Sequence, residues 1–261
     1  MAQAAKKKAG LKKNGLKKTG LKKPRAAKKA DAASRRPMAK APVKTEAKPK
    51  RLPYYNQSTG FTCGAASLLM AMKSLDKATP FDRLHELQVW REANTVFMGK
   101  GHPGSSPYGI ALAAWRRGFH AEIWLSHKGP VLAYYQNNPD WLKAGKLVQE
   151  ADEKMVRDLG MPMTRRKWDV ADLAEARRQG AVPIVLVNTR AFHGDNTPHW
   201  VVFTGSDAEN VYINDPWISR NKGQTAKSQT GRPASHKVFM NMAKCGPREE
   251  RAVVLIRGPQ V

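Results

Sequence analysis

Gln57-Ser58-Thr59-Gly60-Phe61-Thr62-Cys63-Gly64-Ala65-Ala66-Ser67-Leu68-Leu69-Met70 is a polar loop that runs through small residues into an apolar segment. Thr62 is placed to cap a helix, because its hydroxyl can accept from the N–H groups of the first turn. Cys63 then stands at the first helical position, where unpaired N–H groups and the helix dipole favour a thiolate. Gly64 and Ala65 leave room for a substrate backbone. Gln57, six residues upstream, can bring its side-chain NH₂ beside the sulfur, where an oxyanion would form. Free cysteine is more commonly a small buried hydrophobe, so the chemistry depends on a base further along the chain.

The 261 residues are enough for one substantial core and a tail. The net charge of +25 is uneven. Residues 1–50 hold 18 lysines and arginines against Asp31 and Glu46, a net +16, which leaves +9 for the other 211 residues. The tail repeats Ala-Gly-Leu-Lys-Lys, Asn-Gly-Leu-Lys-Lys and Thr-Gly-Leu-Lys-Lys over 9–23, a period of five that suits neither a helix stripe nor strand alternation. With few apolar groups and like charges throughout, 1–50 is expected to be disordered. Such a segment binds nucleic acid or another polyanion through phosphates, without reading sequence. The expected division is therefore a tail, 1–50, and a folded domain, 51–261.

Two cysteines, Cys63 and Cys245, are too few for a secreted disulfide scaffold. No apolar run reaches the ~20 residues of a membrane span. The N-terminus shows no apolar signal region, and cytoplasm is the expected compartment.

Beyond the opening stretch, the helix begun at Cys63 should run to about Leu75, with Leu68, Leu69, Met72 and Leu75 inward. Thr79-Pro80 is expected to restart a helix that buries Phe81, Leu84, Leu87 and Trp90. Loop 99–107 leads to a third helix opened by Ser106-Pro107 and closed by Gly118. Phe119–Leu125 alternates as a strand, 140–159 and 169–179 read as helices, and 164–167 reads as a basic loop. Val182–Val187 is apolar on both faces, hence an internal strand. After a polar loop, 189–198, a hairpin pairs His199–Gly205 with Val211–Asn214. A basic loop, 219–234, and a last strand, Arg251–Arg257, complete the chain.

His199 begins one hairpin arm and Asp215 ends the other, so antiparallel pairing can make them neighbours. A carboxylate that fixes the imidazole tautomer, and an imidazole that takes a thiol proton, are what a cysteine nucleophile needs. Asn214 is the other candidate for orienting His199, but along the strand it should point to the opposite face.

Gln57 through Cys63 to Met70, then Pro198-His199-Trp200-Val201-Val202, then Val211-Tyr212-Ile213-Asn214-Asp215-Pro216, resembles the C39 and C39-like cysteine peptidases of the papain-like superfamily. The resemblance covers about 52–218. It implies an α+β, papain-like fold with the nucleophile helix packed on an antiparallel sheet. It also implies Cys63 as nucleophile, His199 as base, Asp215 as orienter and Gln57 as oxyanion donor. The expected function is cleavage of a peptide bond in a peptide or protein substrate, through a thioester and without a cofactor. Thr62 stands where many members carry an acidic residue, and no exporter segments accompany the domain, so the substrate does not carry over. Acyl transfer on the same triad, and a non-catalytic binding module directed to polyanions by the tail, are the alternatives. A metal site of His193, Asp195, His199 and Cys63 lacks the paired spacing of zinc ligands, and no metal is expected.

Overall fold

In the computed structural model, residues 51–94, 104–135 and 137–259 are described. The expectations for 1–50, and for loop residues 99–103, lie outside them.

Helix α1 spans Cys63–Leu75, and its residues 63–72 are all buried. A helix built of Ala, Leu, Met and one Ser can be covered all round, because nothing on it needs water. Ser67 meets the one internal polar demand by donating to the Trp200 carbonyl at 3.1 Å, which ties the helix to the sheet. The expected cap is different: Thr62 makes no side-chain capping bond. Its hydroxyl instead donates to the Glu86 carboxylate, a charge-assisted bond.

Helix α2 covers Arg83–Ala93, three residues later than Thr79-Pro80 suggested. Asp82 supplies the cap, accepting from His85 N–H. The later start rotates the buried stripe to Glu86, Val89 and Ala93 and leaves Leu84 exposed. Helix α3, Pro107–Trp115, opens as expected on Ser106, which accepts from Gly109 N–H.

Strands β1 (Phe119–Leu125), β2 (Met163–Arg165), β3 (Val182–Asn188), β4 (Pro198–Ser206), β5 (Asn210–Asn214), β6 (Arg232–Ser235) and β7 (Ala252–Pro259) form one sheet. Its order is β2-β1-β7-β3-β4-β5-β6. Only β1 and β2 run parallel. Between these strands lie α4 (Pro139–Asp158), α5 (Val170–Arg178), α6 (Arg190–His193), α7 (Ala226–Gln229) and α8 (His236–Met242).

The sheet is covered on both faces. Ile184, Leu186, Trp200, Val202, Val254 and Ile256 join the core that contains α1 and α3. Val185, Val187, Val201, Phe203, Val253 and Leu255 join a second core with α5 and α8. This explains the continuous apolar runs of β3 and β4, since alternate side chains enter opposite cores.

Three expected loops carry structure. Basic residues 164–167 overlap the end of β2, residues 189–198 include α6, and 219–234 include α7 and most of β6. Each is too short to show a period, and partners distant in sequence define it.

Helix α3 crosses α2 at Gly109. A Cβ there would lie 2.3 Å from the Ala93 carbonyl oxygen. Gly109→Ala should gain about 1 kcal/mol of helix propensity and lose more to the clash, about 1–3 kcal/mol or above. Urea unfolding should show a net loss, and a variant as stable as wild type would contradict the close crossing.

Candidate active site

Cys63 is the first residue of α1 and is almost fully buried, at 4% exposure. His199 is the second residue of β4, paired in register with Val187 of β3. Asp215 follows the last residue of β5, and its side chain has no exposure. The β4–β5 register sets Val202 opposite Asn214, which brings the start of β4 near the residue after β5.

The side chains meet as the hairpin predicts. His199 Nε2 lies 2.8 Å from Asp215 Oδ1. An ionised carboxylate only accepts, so Nε2 carries the donated proton. Cys63 lines the same cleft as His199, and its charge also acts on the imidazole. Burial alone would lower the His199 pKa, but the charges of Asp215 and Cys63 outweigh it and raise it from 6.5 to about 10. Burial likewise acts to raise the Asp215 pKa. The positive charge of His199 and hydrogen bonds from His193 and His199 overcome it and hold the carboxyl well below its usual range.

Asp215 is fixed on every side. Trp217 N–H donates to Oδ1 at 3.0 Å, and the Tyr54 hydroxyl donates to its backbone carbonyl at 3.0 Å. Asn214 is committed elsewhere. It donates to the Pro53 carbonyl and accepts from Gly231 N–H, as its opposite facing along the strand requires.

Gln57 is 5% exposed, and its backbone N–H donates to the Pro216 carbonyl at 2.9 Å. One N–H of its side-chain amide goes to the Thr59 carbonyl at 2.7 Å. That bond was not foreseen, and it uses one of the two amide N–H groups. Gln57, Gly60, Cys63, His199 and Trp217 line one open cleft, together with part of segment 189–198.

Two contributors were missed. Glu86 of α2 is fully buried and accepts from Ser58 N–H at 2.8 Å, from the Thr62 hydroxyl, and from the Tyr55 hydroxyl at 3.1 Å. One carboxylate thus pins both ends of the loop that carries Gln57. Its signal was a lone acid in the stripe Glu86, Val89, Ala93. His193, weighed only as a metal ligand, donates through Nε2 to Asp215 Oδ2 at 2.8 Å. No local pattern points to it.

Cys245 is remote from this chemistry in character. Burial, aided by the charge of Glu250, pushes its thiol up to about 12. His193, His199 and Asp215 present ligand atoms within 4.8 Å of one another. Both imidazoles already donate to the carboxylate, and the Arg232 guanidinium stands 3.7 Å from Oδ2. The group is satisfied electrostatically without a cation.

The model of the Peptidase C39-like family matches residues 52–257. The chain belongs to that family. Among solved structures, this C39-like protein is similar to a double-glycine-motif protease from an AMS/PCAT transporter, in complex with its leader peptide. The identity is 16%, with 82% of this chain and 96% of that chain covered and a TM-score of 0.43. A putative C39-like peptidase from Bacillus anthracis is 13% identical, with 80% and 96% covered and a TM-score of 0.46. The peptidase domain of Streptococcus ComA, a bi-functional ABC transporter, is 13% identical, with 80% and 98% covered and a TM-score of 0.40. No curated protein matches the chain. The family and the sheet-on-helix architecture agree with the expected α+β, papain-like fold. Membership supports a peptidase, hence a hydrolase.

The buried His199 and Asp215 couple stability to pH. His199 titrates above its unfolded value of 6.5, so its contribution is full below that value and is lost as pH rises through about 10. Asp215 titrates below its unfolded value of 3.8, so its contribution is full above that value and is lost in acid. Urea unfolding of wild type and His199→Phe should show a stability gap that shrinks between pH 6 and pH 9. A gap that stays constant or widens would contradict the coupled site.

Proposed function

We propose that this C39-like protein is a cysteine peptidase that cleaves a peptide bond through Cys63, His199 and Asp215. The observation that carries the reading is the buried His199–Asp215 hydrogen bond, with His199 lining the same cleft as Cys63 at the head of a helix.

The proton of the thiol passes to His199, whose other nitrogen stays bonded to Asp215. The thiolate attacks the carbonyl carbon, and the displaced electron pair moves onto oxygen. The Cys63 N–H and the free N–H of Gln57 are the donors for that oxyanion. His199 gives its proton to the leaving amine as the C–N bond breaks, which leaves a thioester. Water then loses a proton to His199, attacks the thioester and releases the acid, and the proton returns to sulfur. Asp215 orients and stabilises the imidazolium and never takes the proton.

A reducing compartment keeps such a thiol from pairing. Both cysteines are free, and the cytoplasm is the proposed location. Among the described residues no helix is long and apolar enough to cross a membrane. The family match begins at residue 52, which supports a domain boundary near 51. The +16 charge of 1–50 supports a role for that segment in holding polyanions.

Iodoacetamide should alkylate Cys63 well ahead of Cys245, and His199→Ala should remove that preference together with peptide turnover. Gln57→Ala should lower kcat by about 10²–10³ while alkylation of Cys63 continues. Equal alkylation of the two cysteines in native wild type would sink the nucleophile assignment. Simultaneous loss of both activities in Gln57→Ala would instead make Gln57 a support of the loop.

Duplex DNA binding should weaken with a slope of about −0.9 in log K against log salt for each phosphate neutralised. Deleting 1–50 should remove most of this binding and leave Cys63 alkylation unchanged. Undiminished binding by the truncated chain would assign the polyanion site to the folded domain.

A further inference from the structure

Asp215 is bonded by two histidines, and the peptidase mechanism uses only one. We propose that His193 is a positioning residue, whose Nε2–H holds the second oxygen of Asp215 so that the first stays aimed at His199. The kinetic consequence rests on the peptidase reading, whereas the hydrogen-bonded link does not.

The geometry is nearly symmetric. His193 Nε2 and His199 Nε2 each lie 2.8 Å from a different oxygen of the same carboxylate. The two rings stand 6.1 Å apart at an interplanar angle of 83°. Oδ1 receives His199 and the Trp217 N–H, and Oδ2 receives His193, with the Arg232 guanidinium 3.7 Å away. Without His193, Oδ2 would keep only that more distant partner in a site with no solvent. A buried carboxylate oxygen short of donors is costly. Turning about the Cβ–Cγ bond would relieve it, and that turn would take Oδ1 away from His199.

The segment around His193 is built to present it. Thr189 bonds the carboxylate of Asp195 and the Thr197 backbone on either side of the loop. Gly194, at φ 84°, ends α6 directly after His193. The Lys222 ammonium holds the His193 carbonyl, and the Arg232 guanidinium stacks 3.7 Å over the Phe192 ring.

The His193 side chain is 6% exposed, and its Nδ1 is buried without a hydrogen bond. An apolar side chain here would carry no unmet polar atom of its own. A buried orphan of this kind calls for an explanation, and the bond from the other nitrogen supplies it.

The test uses the full chain, His193→Leu, which keeps bulk and loses the donor, and His193→Gln, whose amide N–H can stand in for Nε2–H. Proton NMR of imidazole N–H groups in wild type should show two carboxylate-bound resonances, with that of His199 assigned by its loss in His199→Gln. In His193→Leu the His199 resonance should move or broaden away, and Cys63 alkylation by iodoacetamide at pH 7 should slow about ten- to a hundredfold, the scale on which partners that orient metal-binding histidines act. His193→Gln should restore the resonance and most of the rate. A single carboxylate-bound resonance in wild type overturns the proposal even if His193→Leu does not fold. So does an unmoved His199 resonance with an unchanged rate in a folded His193→Leu, or equal slowing in both variants together with lowered unfolding midpoints. If the resonances behave as expected and wild type cleaves no peptide, the link stands and the peptidase reading falls.

Discussion

The structure depends on one buried carboxylate. Asp215 carries its charge in a place with no solvent exposure, where an unpaired ion would cost several kcal/mol. The fold must therefore deliver donors to both oxygens. It does so with His199 from β4, the Trp217 N–H from the chain beyond, and His193 from the short helix α6. Each of these elements supplies part of the pairing of the charge, so the sheet register and the loop geometry are set together.

The same charge sets the chemistry of the cleft. A buried imidazole is ordinarily pushed toward neutrality. Here Asp215 on one side and Cys63 on the other reverse that, and His199 is held ready to carry a proton. The helix start of α1 puts the sulfur within reach, and Glu86 anchors the preceding loop from a different helix. Glu86 and Asp215 are both buried acids occupied by donors.

Much of this was legible in the sequence where the signal is local. The start of α1 at Cys63, the Ser106 cap, strand β1 and the β4–β5 hairpin follow from small residues, caps and alternation that lie within a few positions of one another. Asn214 and Asp215 separate correctly because neighbouring strand residues face opposite sides. The start of α2 was misjudged because Thr79-Pro80 and Asp82 both carry start signals, and only packing selects between them. Glu86 and His193 escaped notice for a related reason. Their partners lie 24 to 31 and 22 residues away in sequence, so no window around either residue records what it does. Strands β2 and β6 are three and four residues long and exist only because β1 and β5 offer them edges.

The central claim is that Cys63 attacks a peptide carbonyl. Acid quenching shortly after mixing with an activated peptide ester, followed by intact-mass and fragment analysis, tests it most directly. The account predicts an acyl adduct confined to Cys63, cleaved by neutral hydroxylamine as a thioester is, and absent from His199→Ala over the same interval. Hydrolysis of the ester with no adduct on Cys63, or an adduct on another residue, would contradict it.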